Sequence, residues 1–443
     1  MEKANSLVEI YKNFAETPLQ PHRDEAIYVP LFAPQLKRLE HIFLNSVTPS
    51  EYVYVAGQSG VGKTSALNFF CDSPKIKEKY DILAIYANEQ ICANADEIDV
   101  VTLLIQLGFC FLDKEPKLKP IFEKELHKIK DKAAQKYSEE NTENTKHNES
   151  REFGFGFKLS LPTIISFFSP DFNLKANLKN DKETQQVIKH FFSFSKEDLR
   201  KMIDKMAEKY QEIHSKPLLI VIHDLERMKN YDAIKSLFVE NRQYFQMTKC
   251  RKILSLPAAL IAENLFTEDK ELFALKVAPN PIVNTPDDKT KIEATYTKFE
   301  ELTYARIDKA ADLIETKAIR KAFELSGGVI RQFMHIIRRA AQNVDINEGV
   351  KISEQDVEEG GVDFTSSYLQ PHAISGSDFD VMDYVDEHHT SNFDDKLKDN
   401  FGVLVQSNKI FAYKNGINWF AINPLLRQQF DFMKRSRQPK DAK

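Results

Sequence analysis

The sequence has little of what marks a membrane protein, a disulfide scaffold or a metal cluster. Its 443 residues include one Trp and four Cys. Cys71, Cys92, Cys110 and Cys250 are scattered, with no CxxC pair. That spacing argues against a zinc knuckle or a dithiol redox site and points to a reducing, cytoplasmic compartment. Apolar runs are short. Leu218 to Ile222 is typical, far below the ~20 residues that a bilayer-spanning helix needs, so no membrane association is expected. The opening MEKANSLVEIYKNFAE carries acids and no apolar core, and is not read as a signal peptide. Basic charge is not in excess either. Lys and Arg number 61 against 66 Asp and Glu, a net charge of −5, so only a local basic patch would suit nucleic acid. Hydrophobic residues at 42% and charged residues at 29% exclude disorder across the whole chain. The 32 Phe are read as core material.

What is present suggests several domains. Residues 1–30 read as an N-terminal arm with a short amphipathic helix (Leu7, Ile10, Tyr11, Phe14), followed by Pro18, Pro21 and Pro30. A helix is expected at about 33–46, a strand at Tyr52 to Ala56, a helix start at Ser65 to Phe70, a strand at Ile82 to Tyr86 and a helix around Val100 to Phe111. Residues 113–180 read as an insertion: a charged helix, then a flexible loop over 138–150 that has no apolar residue. A β-hairpin follows, from the period-two runs Phe153 to Leu161 and Phe172 to Leu178. A long helix carries Leu199, Met202, Ile203, Met206 and Tyr210 on one face. Further strands are expected at Leu218 to Ile222, Ile253 to Leu256 and Phe273 to Val277. The pattern is helical from about 295 to 345. The last stretch, 371–435, mixes short helices with strand-like runs at Val403 to Val405 and Ile410 to Tyr413 and an Asn415-Gly416 turn signal, the make-up of a winged helix. A basic tail, 436–443, closes the sequence.

Two motifs carry chemistry. Gly57-Gln58-Ser59-Gly60-Val61-Gly62-Lys63-Thr64 fits GxxxxGK[ST] in full, after a strand and before a helix that continues through Ser65. The glycines let successive N–H groups curl around phosphate oxygens, and the helix start adds its positive dipole end. Lys63 reaches the β- and γ-phosphates, and Thr64 offers a hydroxyl to Mg²⁺. The second motif is Pro217-Leu-Leu-Ile-Val-Ile-His-Asp-Leu-Glu-Arg227, a buried strand ending in an acid, as in a Walker B segment. Asp224 is the acid placed to serve Mg²⁺ or to polarise water. Glu226, two residues on, shares its face if the segment is extended and is a candidate base.

These motifs resemble those of the AAA+/STAND-like branch of P-loop ATPases, and parts of the plan are similar to KAP-type NTPases and origin-recognition initiator ATPases. The resemblance rests on GQSGVGKT at 57–64, IVIHDLER at 220–227, KILSLPAAL at 252–260, ELSGGVIRQFMHIIRRAA at 324–341 and YKNGINWFAINPLLR at 413–427. It implies an α/β fold: a P-loop NTPase core with a parallel sheet and the inserted β-hairpin over 31–290, a helical lid over 291–370 and a winged-helix domain over 371–435. It implies ATP and Mg²⁺ as cofactors. It also implies that Ser255 senses the γ-phosphate from the strand after Walker B and that Arg331, after the GG turn, contacts nucleotide as sensor 2. Arg338 and Arg339 read as surface or partner contacts. Arg242 and Arg251 lie where an arginine finger acting in trans often sits. One departure stands out: the usual pair of acids is replaced by His223-Asp224. If His223 takes the metal position, hydrolysis is weak; if Asp224 does, Glu226 replaces the base.

The expected activity is ATP hydrolysis driving a switch or an assembly platform, with self-oligomerisation or an effector protein as partner. Such bacterial ATPases sometimes work in phage-defence loci. The alternatives are an initiator-like ATPase binding DNA through 371–443 (Lys409, Lys414 and the tail on phosphates) and a nucleotide-binding scaffold with little turnover. Against DNA stand the acids Asp378, Asp380, Asp383, Asp386, Glu387, Asp394 and Asp395 of the same stretch.

Overall fold

Alternating apolar runs and amphipathic helical stretches build a mixed α/β structure, seen here in a computed structural model. It describes residues 2–146, 164, 166–168, 173–246, 248–262, 272–274, 286–369, 374–392, 395–415 and 417–437. The principal elements in chain order are α1 (Leu7–Asn13), α2 (Ala33–Asn45), β1 (Tyr52–Ala56), α3 (Lys63–Asp72), β2 (Asp81–Tyr86), α4 (Val100–Lys114), α5 (Lys119–Lys146), α6 (Leu174–Asn180), α7 (Lys182–Phe191), α8 (Lys196–His214), β3 (Leu218–His223), β4 (Arg251–Leu256) and β5 (Leu272–Ala274). The chain continues with α9 (Pro286–Tyr304), α10 (Thr316–Ser326), α11 (Ile330–Ile346), α12 (Glu354–Phe364), α13 (Gly376–His388), α14 (Asp395–Gln406), β6 (Ile410–Asn415), β7 (Ile417–Ile422) and α15 (Arg427–Arg437).

The first five strands form one sheet in the order β2-β3-β4-β1-β5. β2 with β3, β3 with β4, and β1 with β5 pair parallel. Parallel neighbours require long crossovers, and helices supply them. Every residue of β3 and of β4 is buried, as expected of strands covered on both faces. By contacts the chain divides into two compact units: residues 1–43, 54–76 and 255–443, and residues 44–53 and 77–254.

In the first unit, a helical core gathers Phe299, Phe323, Phe333, Ile336 and Ile337 of α9–α11, with Val357 of α12. The N-terminal arm belongs to this core: Ala4, Leu7, Ile10 and Phe14 are buried in it. Arg338, expected at the surface or at a partner, instead donates to Glu16 at 3.1 Å and lies 4.5 Å over the Tyr11 ring. His335 meets the same carboxylate at 2.6 Å. The C-terminal module has its own core, with Val381, Val385, Leu404, Val405, Ile410 and Phe430. Two helices followed by the antiparallel β6–β7 hairpin give it the expected winged-helix order.

The second unit holds β2 and β3 in six-residue register, from Asp81 with Leu218 to Tyr86 with His223. α4 is buried along most of its length, capped by Asp99, which accepts from the N–H groups of Val101 and Thr102. In α8, Leu199, Met202, Ile203, Met206 and Tyr210 form one buried face, as their spacing predicts.

Three sequence expectations are corrected. The second strand of the proposed inserted hairpin is instead helix α6. Leu174 and Leu178, two steps of an alternating pattern, are also one helical turn apart. Both are buried, and Asn173 caps the helix by accepting from the Ala176 N–H. The first strand, 153–161, lies outside the described residues. The 138–150 loop is helical as far as Lys146; the rest of it lies outside the described residues. Val403 to Val405 is part of α14: Phe401, Leu404 and Val405 are buried at helical spacing and Val403 is exposed.

Candidate phosphate-binding site

Buried strand β1 ends at Ala56 and the chain turns at once into the glycine loop. Gly60 and Gly62 have φ of +90° and +95°, the left-handed region that favours glycine. Space is also short: a Cβ on Gly60 would lie 2.7 Å from Arg331 Cβ, and one on Gly62 3.0 Å from Ile330 Cδ1. Gly62 is the N-cap of α3, and no side chain caps the helix. Its first N–H groups thus have the arrangement that suits an anion. Lys63 is almost fully buried, and its Nζ donates to the carbonyls of Gly57 at 2.8 Å and Gln58 at 3.0 Å, which fixes the curl of the loop. Thr64 is half-buried on the first turn. Ser65 Oγ accepts from the Leu19 N–H at 3.0 Å.

The lid meets this loop directly. The Arg331 N–H donates to the Gly60 carbonyl at 3.0 Å, and the Arg331 guanidinium donates to Ser59 Oγ at 3.0 Å. Position 331, chosen from the GGVIR segment, therefore stands on the phosphate loop. Beside it is a cavity of roughly 210 Å³, lined among others by Leu31, Phe32, Val61, Lys298, Phe299 and Ile330. Its walls are mainly apolar, with the Thr295 and Lys298 side chains as polar groups.

Gln58 is used in a way the motif does not foretell. Its side chain is buried, and Nε2 donates to the carbonyls of Val405 and Ile410, both at 2.8 Å. Its Oε1 accepts from the Ala412 N–H at 3.3 Å. The Asn408 amide donates to the Ser59 carbonyl at 3.4 Å, and the Tyr413 hydroxyl to the Gly327 carbonyl at 3.0 Å. No local sequence signal marks these partners.

The Walker B-like segment belongs to the other unit. His223 is the last residue of β3 and stacks on Tyr86, with ring centroids 4.7 Å apart and planes 14° apart. It is 1% exposed, and neither ring nitrogen has a hydrogen-bond partner among the described residues. Burial pulls its pKa down to about 4, against a smaller upward pull from Glu226, so the ring is neutral at physiological pH. Asp224 leaves the strand with φ +68°, and Leu225–Arg227 form a 3₁₀ turn. Asp224 and Glu226 are therefore not alternate residues of an extended segment, which corrects the expectation of a shared face. Both are buried, and Asp224 Oδ1 faces Arg227 Nε at 3.2 Å.

Ser255 is buried near the end of β4. Arg251 is committed within its unit: its guanidinium lies 5.4 Å over the Tyr80 ring, and Nε donates to Ser46 Oγ at 3.4 Å. Arg242 is half-buried. In the C-terminal module, Lys434 pairs with Asp383 at 2.6 Å, Arg427 with Asp386 at 2.7 Å and Arg437 with Asp380 at 3.0 Å. Asp380, Asp383 and Asp386 of α13 thus face Arg437, Lys434 and Arg427 of α15.

No protein-family model and no curated protein sequence matches the chain. Among solved structures, it is similar to the Aeropyrum pernix ORC2 protein in its ADPNP–ADP complexes, at 10% identity over 96% of this chain and 98% of that one, with a TM-score of 0.41. A Walker-type ATPase of Pyrococcus abyssi matches at 12% identity over 95% and 99%, with a TM-score of 0.45. Cdc6p of Pyrobaculum aerophilum matches at 11% identity over 95% and 98%, with a TM-score of 0.37. At identities and TM-scores this low, the functional reading rests on the chain's own geometry.

Proposed function

We propose that the chain binds ATP with Mg²⁺ and hydrolyses it slowly as an AAA+-like ATPase, working as a nucleotide-driven switch for a partner protein or for its own assembly. The observation that carries this reading is the glycine loop. Its left-handed glycines, the buried Lys63 and the start of α3 form a phosphate cradle, with Arg331 seated on it. The neighbouring cavity, with apolar walls at Phe32, Val61 and Ile330, suits the flat apolar faces of a purine base.

Of the proposed metal donors, the Thr64 hydroxyl belongs to the unit of the glycine loop and the Asp224 carboxylate to the other unit. Hard oxygens of this kind suit Mg²⁺, which on the nucleotide would neutralise phosphate charge. Ser255 and Arg331 are proposed as sensors of the terminal phosphate, and Glu226 as the alternative base. A second reading, a nucleotide-gated scaffold with little turnover, is favoured by His223: a neutral ring stands at the end of β3, where an acid was expected. DNA binding draws less support, because Arg427, Lys434 and Arg437 of α15 are already paired with acids of the same module.

The test is phosphate release from ATP by wild type, Lys63→Ala and Asp224→Asn over a protein concentration series, with and without duplex DNA. Turnover that rises with concentration and is lost in both variants supports the assembling ATPase. Bound ATP without release selects the scaffold, and stimulation by duplex selects the initiator-like alternative. Retained ATP affinity in Lys63→Ala sinks the site itself.

A further inference from the structure

We infer that Gln58 is a positioning residue through which the C-terminal module holds the phosphate loop in its ligand-ready shape, so that nucleotide binding and module docking reinforce each other. The inference rests on the reading of the loop as a nucleotide site. A residue between Gly57 and Ser59 could have turned its side chain to solvent. Gln58 instead spends both ends of its amide on the turn between α14 and β6, reaching Val405, Ile410 and Ala412. The same residue's carbonyl accepts from Lys63. One amino acid therefore joins the ammonium of the phosphate site to the hairpin of the C-terminal module.

Two further contacts run in parallel. Asn408, itself at φ +60°, donates to Ser59, and Tyr413 donates to Gly327 of the lid turn. A Cβ on Gly327 would lie 2.8 Å from both Phe411 and the Tyr413 hydroxyl, so hairpin and lid turn are in close contact. With the module docked, the loop already has its left-handed glycines and its helix start in place. The docked arrangement is thus the one a phosphate would select, and linkage makes the coupling reciprocal. Releasing the module leaves the loop held by Lys63, by the lid contacts of Arg331 and by the nucleotide.

Amide hydrogen exchange on the full chain, with and without Mg·ATP, tests this together with nucleotide titration. In the wild type, Mg·ATP should slow exchange in 57–64 and also in 405–413. Gln58→Ala without nucleotide should speed exchange in 405–413 but not in the lid core at 333–344, and should weaken ATP binding about ten-fold. Gln58→Glu, nearly the same shape, sets a carboxylate oxygen against the carbonyls of Val405 and Ile410 and should act in the same direction. Protection of 57–64 with unchanged 405–413 overturns the coupling and leaves the nucleotide site standing. No protection of 57–64 removes both. Wild-type exchange at 405–413 in Gln58→Ala also overturns it, and should that variant fail to fold, the wild-type comparison decides alone.

Discussion

The phosphate loop and the end of β3 are built on opposite plans. Around the loop, near and remote segments are tied together: Lys63 donates within the motif, while Arg331, Gln58 and Asn408 link it to the lid and the C-terminal module. At the end of β3, His223 is buried with both nitrogens unengaged among the described residues, and Asp224 takes a left-handed backbone conformation to face Arg227. A buried polar atom without a partner costs about 1–3 kcal/mol, and a non-glycine residue in the left-handed region about 1–2 kcal/mol. The contrast teaches that the glycine loop is braced by hydrogen bonds from the rest of its unit, whereas the end of β3 carries, among the described residues, unpaired His223 ring nitrogens and a strained backbone.

Four changes break or sharpen that contrast. The largest effect is expected from Lys63→Ala, which removes the ammonium from the cradle. ATP affinity measured by calorimetry should fall at least about 100-fold, roughly 3 kcal/mol, and a fall under ten-fold would mean that phosphate binds elsewhere. Next, Gly60→Ala forces a Cβ into φ +90° and against Arg331. Stability to urea should drop by about 2 kcal/mol or more, and a neutral result would show that the lid seats loosely.

The third change acts on the other region. His223 has a native pKa of about 4, below its unfolded value of 6.5. The unfolded chain therefore binds the proton first, and stability present above pH 6.5 is lost as pH falls toward 4. At pH 5 the nucleotide-free protein should be about 2 kcal/mol less stable on this account. His223→Phe, which keeps the stack on Tyr86, should remove that slope; an unchanged pH profile would place the ring in contact with water. The smallest effect belongs to Arg227→Ala. Its guanidinium is 42% exposed, so stability should change by no more than about 1 kcal/mol. A larger loss would show that Asp224 depends on that partner.

Local chemistry was the legible part. The strand, glycine loop and helix at 52–72 follow from consecutive residues, because φ preference, N–H direction and the lysine reach are all set within the motif itself. β2, β3 and β4 were legible as apolar runs, and Arg331 from a short lid motif. Where the reading failed, two periods coincided. Leu174 and Leu178 satisfy alternation and a helical turn alike, and only packing selects one. The run from Val403 to Val405 failed for the same reason, since Leu404 and Val405 fit either a strand or one face of α14. Asp224 and Glu226 were misplaced because a single left-handed residue ends the strand.

The sequence by itself determined a cradle-shaped glycine loop and the lysine that donates to it. Tertiary structure alone decided what holds that cradle. Gln58 finds its partners 347 to 354 positions away, and nothing about a glutamine between two small residues announces them. Motif chemistry is fixed by neighbours along the chain, whereas hydrogen bonds between remote segments exist only once burial has brought those segments together and removed the water that would otherwise satisfy them.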